Sequence, residues 1–168
     1  MVIYLLIFQG VLGGIDVIWN HEWKEKLPTK LTASLEQQIH GIRELFYSVI
    51  FIGLAWLEWK GIWAWVLFSV IVIEIIFTAW DFIIEDKTRV LSATERITHL
   101  LLSMSGGAYV VLLMPILLNW SILPSGFISV EYEFHSWILT IFGMGALAWG
   151  IRDISSGLVS SRYAKESL

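Results

Sequence analysis

Two residue pairs in this sequence read Glu-x-x-x-His, Glu36 with His40 and Glu95 with His99, and a third pair, Asp81 with Glu85, reads Asp-x-x-x-Glu. Side chains four apart share one face of a helix, so each pair can reach a single centre. Carboxylate oxygens combined with imidazole nitrogens are the ligand types of iron, manganese and zinc. Two metal ions bridged by carboxylates need about four acids and two His drawn from four helices. The chain offers Asp16, Glu36, Glu44, Asp81, Glu85 and Glu95 together with His40 and His99. That set points first to a dinuclear iron or manganese centre doing redox chemistry. A single zinc ion with an activated water is the lesser alternative. The absence of Cys excludes thiol chemistry and Cys-ligated zinc.

The elements that must carry these groups follow from composition. Of 168 residues, 57% are hydrophobic and 15% are charged, against about 25% charged in a soluble domain. One small globule cannot hide that much apolar surface, so the expected solvent is lipid. A helix needs about 20 mostly apolar residues to cross a bilayer. Five runs qualify: Met1–Trp19, Ile39–Leu57, Gly61–Ile84, Ile97–Trp120 and Phe134–Ile154. The expected fold is therefore all-α, a single polytopic membrane domain of five transmembrane helices over residues 1–168. The first run lacks the basic leader and cleavage site of a signal peptide, and it carries Asp16. It is read as a mature helix.

Orientation follows from Lys and Arg. With five spans, Lys24, Lys26, Lys30, Arg43, Lys87, Arg89, Arg96, Arg152, Arg162 and Lys165 fall on one side and Lys60 alone on the other. The basic side faces the cytoplasm, which puts the N-terminus outside and the C-terminus inside a bacterial or archaeal cytoplasmic membrane. Trp56, Trp59, Trp63, Trp65, Trp120 and Trp137 are expected at the outer interface, and Trp19, Trp23, Trp80 and Trp149 at the inner one. Gly10 with Gly14, Ser103 with Gly107, and Ala146 with Gly150 have the small-xxx-small spacing of close helix packing.

At about 100° per residue, each helix has one polar stripe. These are Gln9, Gly13, Asp16 and Asn20 on the first, and Glu36, His40, Arg43 and Tyr47 with Glu44 beside them on the second. The third carries Glu74, Thr78, Asp81 and Glu85, the fourth Glu95 and His99, and the fifth Trp149, Asp153 and Ser156. The groups Asp16–Asn20, Glu36–Glu44, Asp81–Glu85 and Glu95–His99 all fall at about one level near the cytoplasmic ends, and Glu74 is the exception. Glu74 is seven residues further in than Asp81, roughly 10 Å at 1.5 Å per residue, and reads as a proton relay or substrate contact, or as a carboxyl bonded to a neighbouring Ser or Thr. Arg43 and Arg96 are expected to neutralise surplus acid, with Tyr47, Asn20 and Asp153 supporting the ligands. His21, about 100° off the first stripe, reads as an interface residue. Lys87 and Arg89 read as contacts to anionic lipid headgroups. His135, with Glu131 and Glu133, reads as an exposed junction.

At motif level the helix-end acids and His resemble the carboxylate-bridged di-iron bundles, including membrane-bound oxidases. Those proteins use Glu-x-x-His, one residue shorter than the spacing here. The resemblance implies oxidation of a lipid-soluble substrate.

Three function classes are carried forward. The leading one is a metal-dependent oxidoreductase of hydroxylase, desaturase or quinol-oxidase type acting on a lipid-soluble substrate. The second is a haem b electron carrier with His40 and His99 as axial ligands, disfavoured by the neighbouring carboxylates. The third is a non-catalytic membrane protein, such as an assembly factor or a lipid- or ion-binding subunit, in which the cluster is a salt-bridge network with Arg43, Arg89, Arg96 and Arg152. Such a protein is expected to form a homo-oligomer. The net charge of −4 gives no footprint for nucleic acid. The sequence has no phosphate-binding loop and no nucleophilic triad, which sets aside ATP-driven chemistry and serine hydrolysis.

Overall fold

The computed structural model describes residues 1–166, with the side chains of 164–166 left aside. Lys165, one of the basic residues used for orientation, lies outside the described side chains. The chain is 85% helical, and five helices are long and apolar enough to cross a membrane. Helix α1 spans Val2–Ile15 and continues as a wider helical segment over Asp16–Lys24. Two short turns, Leu27–Thr29 and Leu31–Ala33, lead into α2 (Ser34–Trp56). Helices α3 (Ile62–Thr88), α4 (Ala93–Ser121) and α5 (Phe134–Glu166) follow.

The helices close into a ring. Helix α2 packs on α5 and α3, α1 packs on α5 and α4, and α3 packs on α4. One half of the interior is apolar, built from residues such as Leu6, Ile50, Leu67, Ile71, Tyr109 and Leu139. The other half holds the polar residues. The outside of the ring is apolar, with Ile76, Val111 and Ile141 among the exposed side chains, as a lipid-facing surface requires.

The apolar end departs from a purely helical fold. Strand β1 (Leu57–Lys60) pairs antiparallel with β2 (Gly126–Ser129), in a register that sets Trp59 opposite Phe127. The turn after β1 needs Gly61. Its φ is +61°, and a Cβ there would strike Ser125. Ser136 ties the start of α5 to the end of α2 by donating to the Ala55 carbonyl at 2.7 Å. Trp59 and Trp120, expected as interfacial anchors, are instead buried beneath this cap, and the Trp59 indole donates to the Gly53 carbonyl at 3.2 Å.

At the polar end, Ser92 caps α4. Its hydroxyl accepts from the Glu95 backbone N–H at 3.3 Å and so fixes where that helix starts. The closest helix contact is α2 against α5. A Cβ on Gly41 would lie 2.7 Å from the Gly150 carbonyl, and a Cβ on Gly150 would lie 2.8 Å from the Gly41 carbonyl. Of the small-residue pairs in the sequence, Gly150 and Gly10 pack tightly, while Gly14 and Gly107 face open space.

This contact generates a stability prediction. Gly41→Ala should destabilise the protein by about 1–3 kcal/mol through overpacking. Gly145→Ala, where nothing lies within 4 Å, should be neutral or stabilising because Ala is the better helix former. Thermal unfolding of both variants in detergent checks it, and equal midpoints would contradict the tight α2–α5 contact.

Candidate metal centre

The polar half is organised by the wide segment of the first helix. Over Asp16–Lys24 the backbone bonds run from residue i to i+5, and Glu25 N–H still donates to the Asn20 carbonyl at 2.9 Å. In an ordinary α-helix His21 would point about 140° away from Asp16 at 100° per residue. In the wider turn the two are one turn apart, and His21 Nε2 lies 3.8 Å from Asp16 Oδ2. His21 is therefore 3% exposed and faces the centre, where the sequence reading expected an interface residue.

Two groups of ligand atoms result. In the first, His21, Glu85, Glu95 and His99 each offer one atom, all within 4.8 Å of one another. In the second, His40, Glu44 and Asp153 do the same. The groups adjoin, since the His21 and His40 rings are 4.5 Å apart between centroids. All five helices contribute.

The surrounding contacts orient the imidazoles. His99 Nε2 lies 3.1 Å from Asp16 Oδ2, while its Nδ1 lies 3.5 Å from Glu85. His40 Nδ1 lies 3.4 Å from Asp81 Oδ2, while its Nε2 faces Glu44 at 3.7 Å. One ring nitrogen held by an aspartate, with the other turned toward a second carboxylate, is an arrangement that can orient a metal-binding His. Asp16 is itself held, accepting from Asn20 at 2.7 Å and Thr98 at 2.6 Å.

Several atoms aimed into this space have no hydrogen-bond partner among the described residues. They are His21 Nε2, His40 Nε2, Glu44 Oε2, Asp81 Oδ1 and both carboxylate oxygens of Glu85. Each buried polar atom left unpaired costs about 1–3 kcal/mol, and more when charged. The charge count agrees with this picture. Eight carboxylates are buried: Asp16, Glu36, Glu44, Glu74, Asp81, Glu85, Glu95 and Asp153. Three arginines, Arg43, Arg89 and Arg152, pair with members of that set. The donor set fits divalent cations in ligand type, orientation and charge.

The arginines sort the expected site residues. Arg89, expected at lipid headgroups, instead clamps Glu95 through two bonds of 2.8 and 2.6 Å and reaches Glu36 at 2.8 Å. Burial works against its charge, but the hydrogen bonds it donates to Glu95 and Glu36 outweigh that and hold its pKa above the ordinary arginine value. Glu36 is consequently committed to Arg89 and to Thr88, whose hydroxyl donates at 3.0 Å, and it does not join His40 at one centre. Arg96, expected to neutralise the cluster, is exposed, and its role falls to Arg89. Arg43 binds Asp81 as expected. Arg152 binds Glu22 and Asp153.

A polar ladder runs inward from the centre. Arg43 Nε donates to Thr78 Oγ1 at 2.9 Å, and Thr78 donates to Glu74 Oε1 at 2.5 Å. Thus Glu74 finds its hydroxyl on its own helix, one turn away. Beside it, Tyr47 OH accepts from Gln9 Nε2 at 3.0 Å, and Ser105 donates to Gln9. Elsewhere, Glu25 in the loop after α1 has its pKa lowered by the hydrogen bond from Lys30, 2.6 Å away. His135 packs edge-on against Tyr4 at 5.0 Å, and no metal-binding group forms around it among the described residues.

The structure therefore brings together His40, Glu44, Asp81, Glu85, Glu95, His99 and Asp16, draws Asp153 in as a candidate ligand, and adds His21. The sequence signal for His21 was the polar run Asn20–His21–Glu22 closing an apolar helix, which a strict α-helical period places on the wrong face. No protein-family model matches the chain, and no curated protein or solved structure matches it.

Arg89 and Arg96 give a direct contrast. Arg89→Gln leaves Glu36 and Glu95 buried and unpaired, and should cost about 3–5 kcal/mol. Arg96→Gln should change stability by no more than about 0.5 kcal/mol, as exposed substitutions do. Denaturant unfolding in detergent micelles reads both, and equal losses would show that the acids depend on Arg96 as well.

Proposed function

We propose that this chain is an integral-membrane metalloprotein that holds two divalent cations inside its helix ring and acts as an oxidoreductase on a lipid-soluble substrate, of hydroxylase, desaturase or quinol-oxidase type. The observation that carries the reading is the convergence of unpaired, buried His and carboxylate atoms from His21, His40, Glu44, Asp81 and Glu85. One cation is assigned to His21, Glu85, Glu95 and His99, and the other to His40, Glu44 and Asp153, with Asp81 beside them. Mixed imidazole and carboxylate donors favour iron or manganese over zinc for redox work. Bound metal would supply the electron transfer that these side chains cannot perform themselves. The excess of basic residues at this end assigns it to the cytoplasmic side.

The chain's own residues have separable roles. Asp16 and Asp81 set the ring orientation of His99 and His40. Arg43 and Arg89 hold carboxylates in place and offset part of their charge. Glu74, joined to Arg43 through Thr78 and directly at 3.8 Å, is the group we assign to proton relay inward of the centre.

The salt-bridge reading is favoured by the arginine pairs, and it accounts for Glu36 and for the clamped Glu95. It leaves His21 Nε2, His40 Nε2 and the Glu85 carboxylate with ionic contacts of 3.5–3.8 Å, Arg89 to Glu85 among them, and no hydrogen bond among the described residues. Haem fits less well, because the ring nitrogens of His40 and His99 left for an iron face Glu44 at 3.7 Å and Glu85 at 3.5 Å, where a porphyrin would have to lie.

Elemental analysis of detergent-purified protein tests the proposal. It should find about two iron or manganese atoms per chain, as a two-metal site requires. His21→Ala and Glu85→Ala should lose them, while Lys60→Gln, at the far end, should keep them. Protein that stays metal-free after anaerobic loading with Fe(II) would contradict the reading.

A further inference from the structure

An open, shallow groove of about 450 Å³ lies between the end of α3 and the start of α4. Its wall is made by Phe82, Ile83, Asp86, Lys87, Leu91, Arg96 and His99. Two features give it a direction. His99 is 9% exposed, while its neighbours Glu85 and Glu95 are fully buried. Of the first ligand group, His99 is the member that reaches this opening, and its ring stacks on Phe82 at 5.2 Å with 20° between planes. The groove is also amphipathic. Phe82, Ile83 and Leu91 give an apolar wall, and the exposed Ile97 and Leu100 continue it along the lipid-facing side of α4.

The charges add a second constraint. Lys87 and Arg96 are exposed, and neither forms an ion pair among the described residues. With Asp86 on the same wall, the groove carries one net positive charge. An Arg fork with a nearby ammonium suits a planar, singly charged oxyanion. Arg96 has no acid to neutralise inside the ring, so this outward position is where its charge acts.

We infer that this groove seats a long-chain fatty carboxylate, its head on Arg96 and Lys87 and its chain along Phe82, Ile83 and Leu91 beside His99. The inference names the class of lipid-soluble molecule the centre meets, and it rests on the reading of His99 as a metal ligand. A diacyl phospholipid offers the same charge, and displacement by phosphatidylglycerol separates the two.

The test is equilibrium binding of radiolabelled palmitate to the full chain in an uncharged detergent, with metal content measured on the same sample. Palmitate should bind saturably. Arg96→Gln and Lys87→Gln should each weaken it about tenfold, and Asp86→Asn should tighten it. Hexadecanol, with the same chain and no charge, should bind at least about tenfold less well. Absent saturable binding, unchanged affinity in both basic variants, or equal displacement by phosphatidylglycerol would each overturn the inference. Metal-loaded protein that ignores palmitate would sink this inference alone. Metal-free protein that binds it as described would leave the groove assignment standing and remove the metal centre.

Discussion

Burying one carboxylate away from water costs several kcal/mol unless a positive charge or a full set of hydrogen bonds compensates it. This chain buries eight of them in one half of a five-helix ring. Three arginines and a few hydroxyl and amide donors meet part of that demand. Among the described residues, atoms of His21, His40, Glu44, Asp81 and Glu85 have no hydrogen-bond partner, and they gather in this half of the ring with ionic contacts no shorter than 3.5 Å at His21 and Glu85. A fold that only needed to join helices could have used apolar side chains here at lower cost. Concentrated negative charge with oriented imidazoles has a simpler explanation in bound cations, which satisfy carboxylate and imidazole together.

The rest of the architecture serves that concentration. The ring order lets five helices each turn one polar face inward. The close approach at Gly41 and Gly150 draws α5 near enough to α2 for Asp153 to join His40 and Glu44. The widened segment after α1 costs regular α-helical bonding, and it places Asp16 and His21 on the same side of the ring. The strand pair and the buried Trp59 and Trp120 close the opposite end with apolar contacts. The buried acids and imidazoles are thereby confined to one half of the bundle.

Much of this was legible in the sequence, for physical reasons. Apolar runs of span length declare the helices, and a polar residue inside such a run can only be tolerated facing inward. Asp16, Asp81, Glu85, Glu95 and His99 were therefore readable as one cluster at one depth. What failed was angular. A period of 100° per residue holds for α2, α3 and α4, but the wide turn at Asp16–Lys24 breaks it and hides His21. The arginines failed for another reason. Arg89 and Arg96 both flank the start of α4, and which one turns inward depends on the course of the chain between α3 and α4. Likewise, Glu36 shares a helix face with His40, but Arg89 and Thr88 from α3 and its end hold it elsewhere. The four-residue strands contain too few residues for an alternating pattern to show.

The central claim is that the unpaired atoms are metal ligands. The most direct measurement is anomalous X-ray diffraction from crystals of the full chain, recorded on either side of the iron and manganese absorption edges. The account predicts two peaks, one among His21, Glu85, Glu95 and His99 and the other against His40, Glu44 and Asp153. Crystals of metal-loaded protein with no anomalous density there, and with ordered water bridging the same atoms, would contradict it.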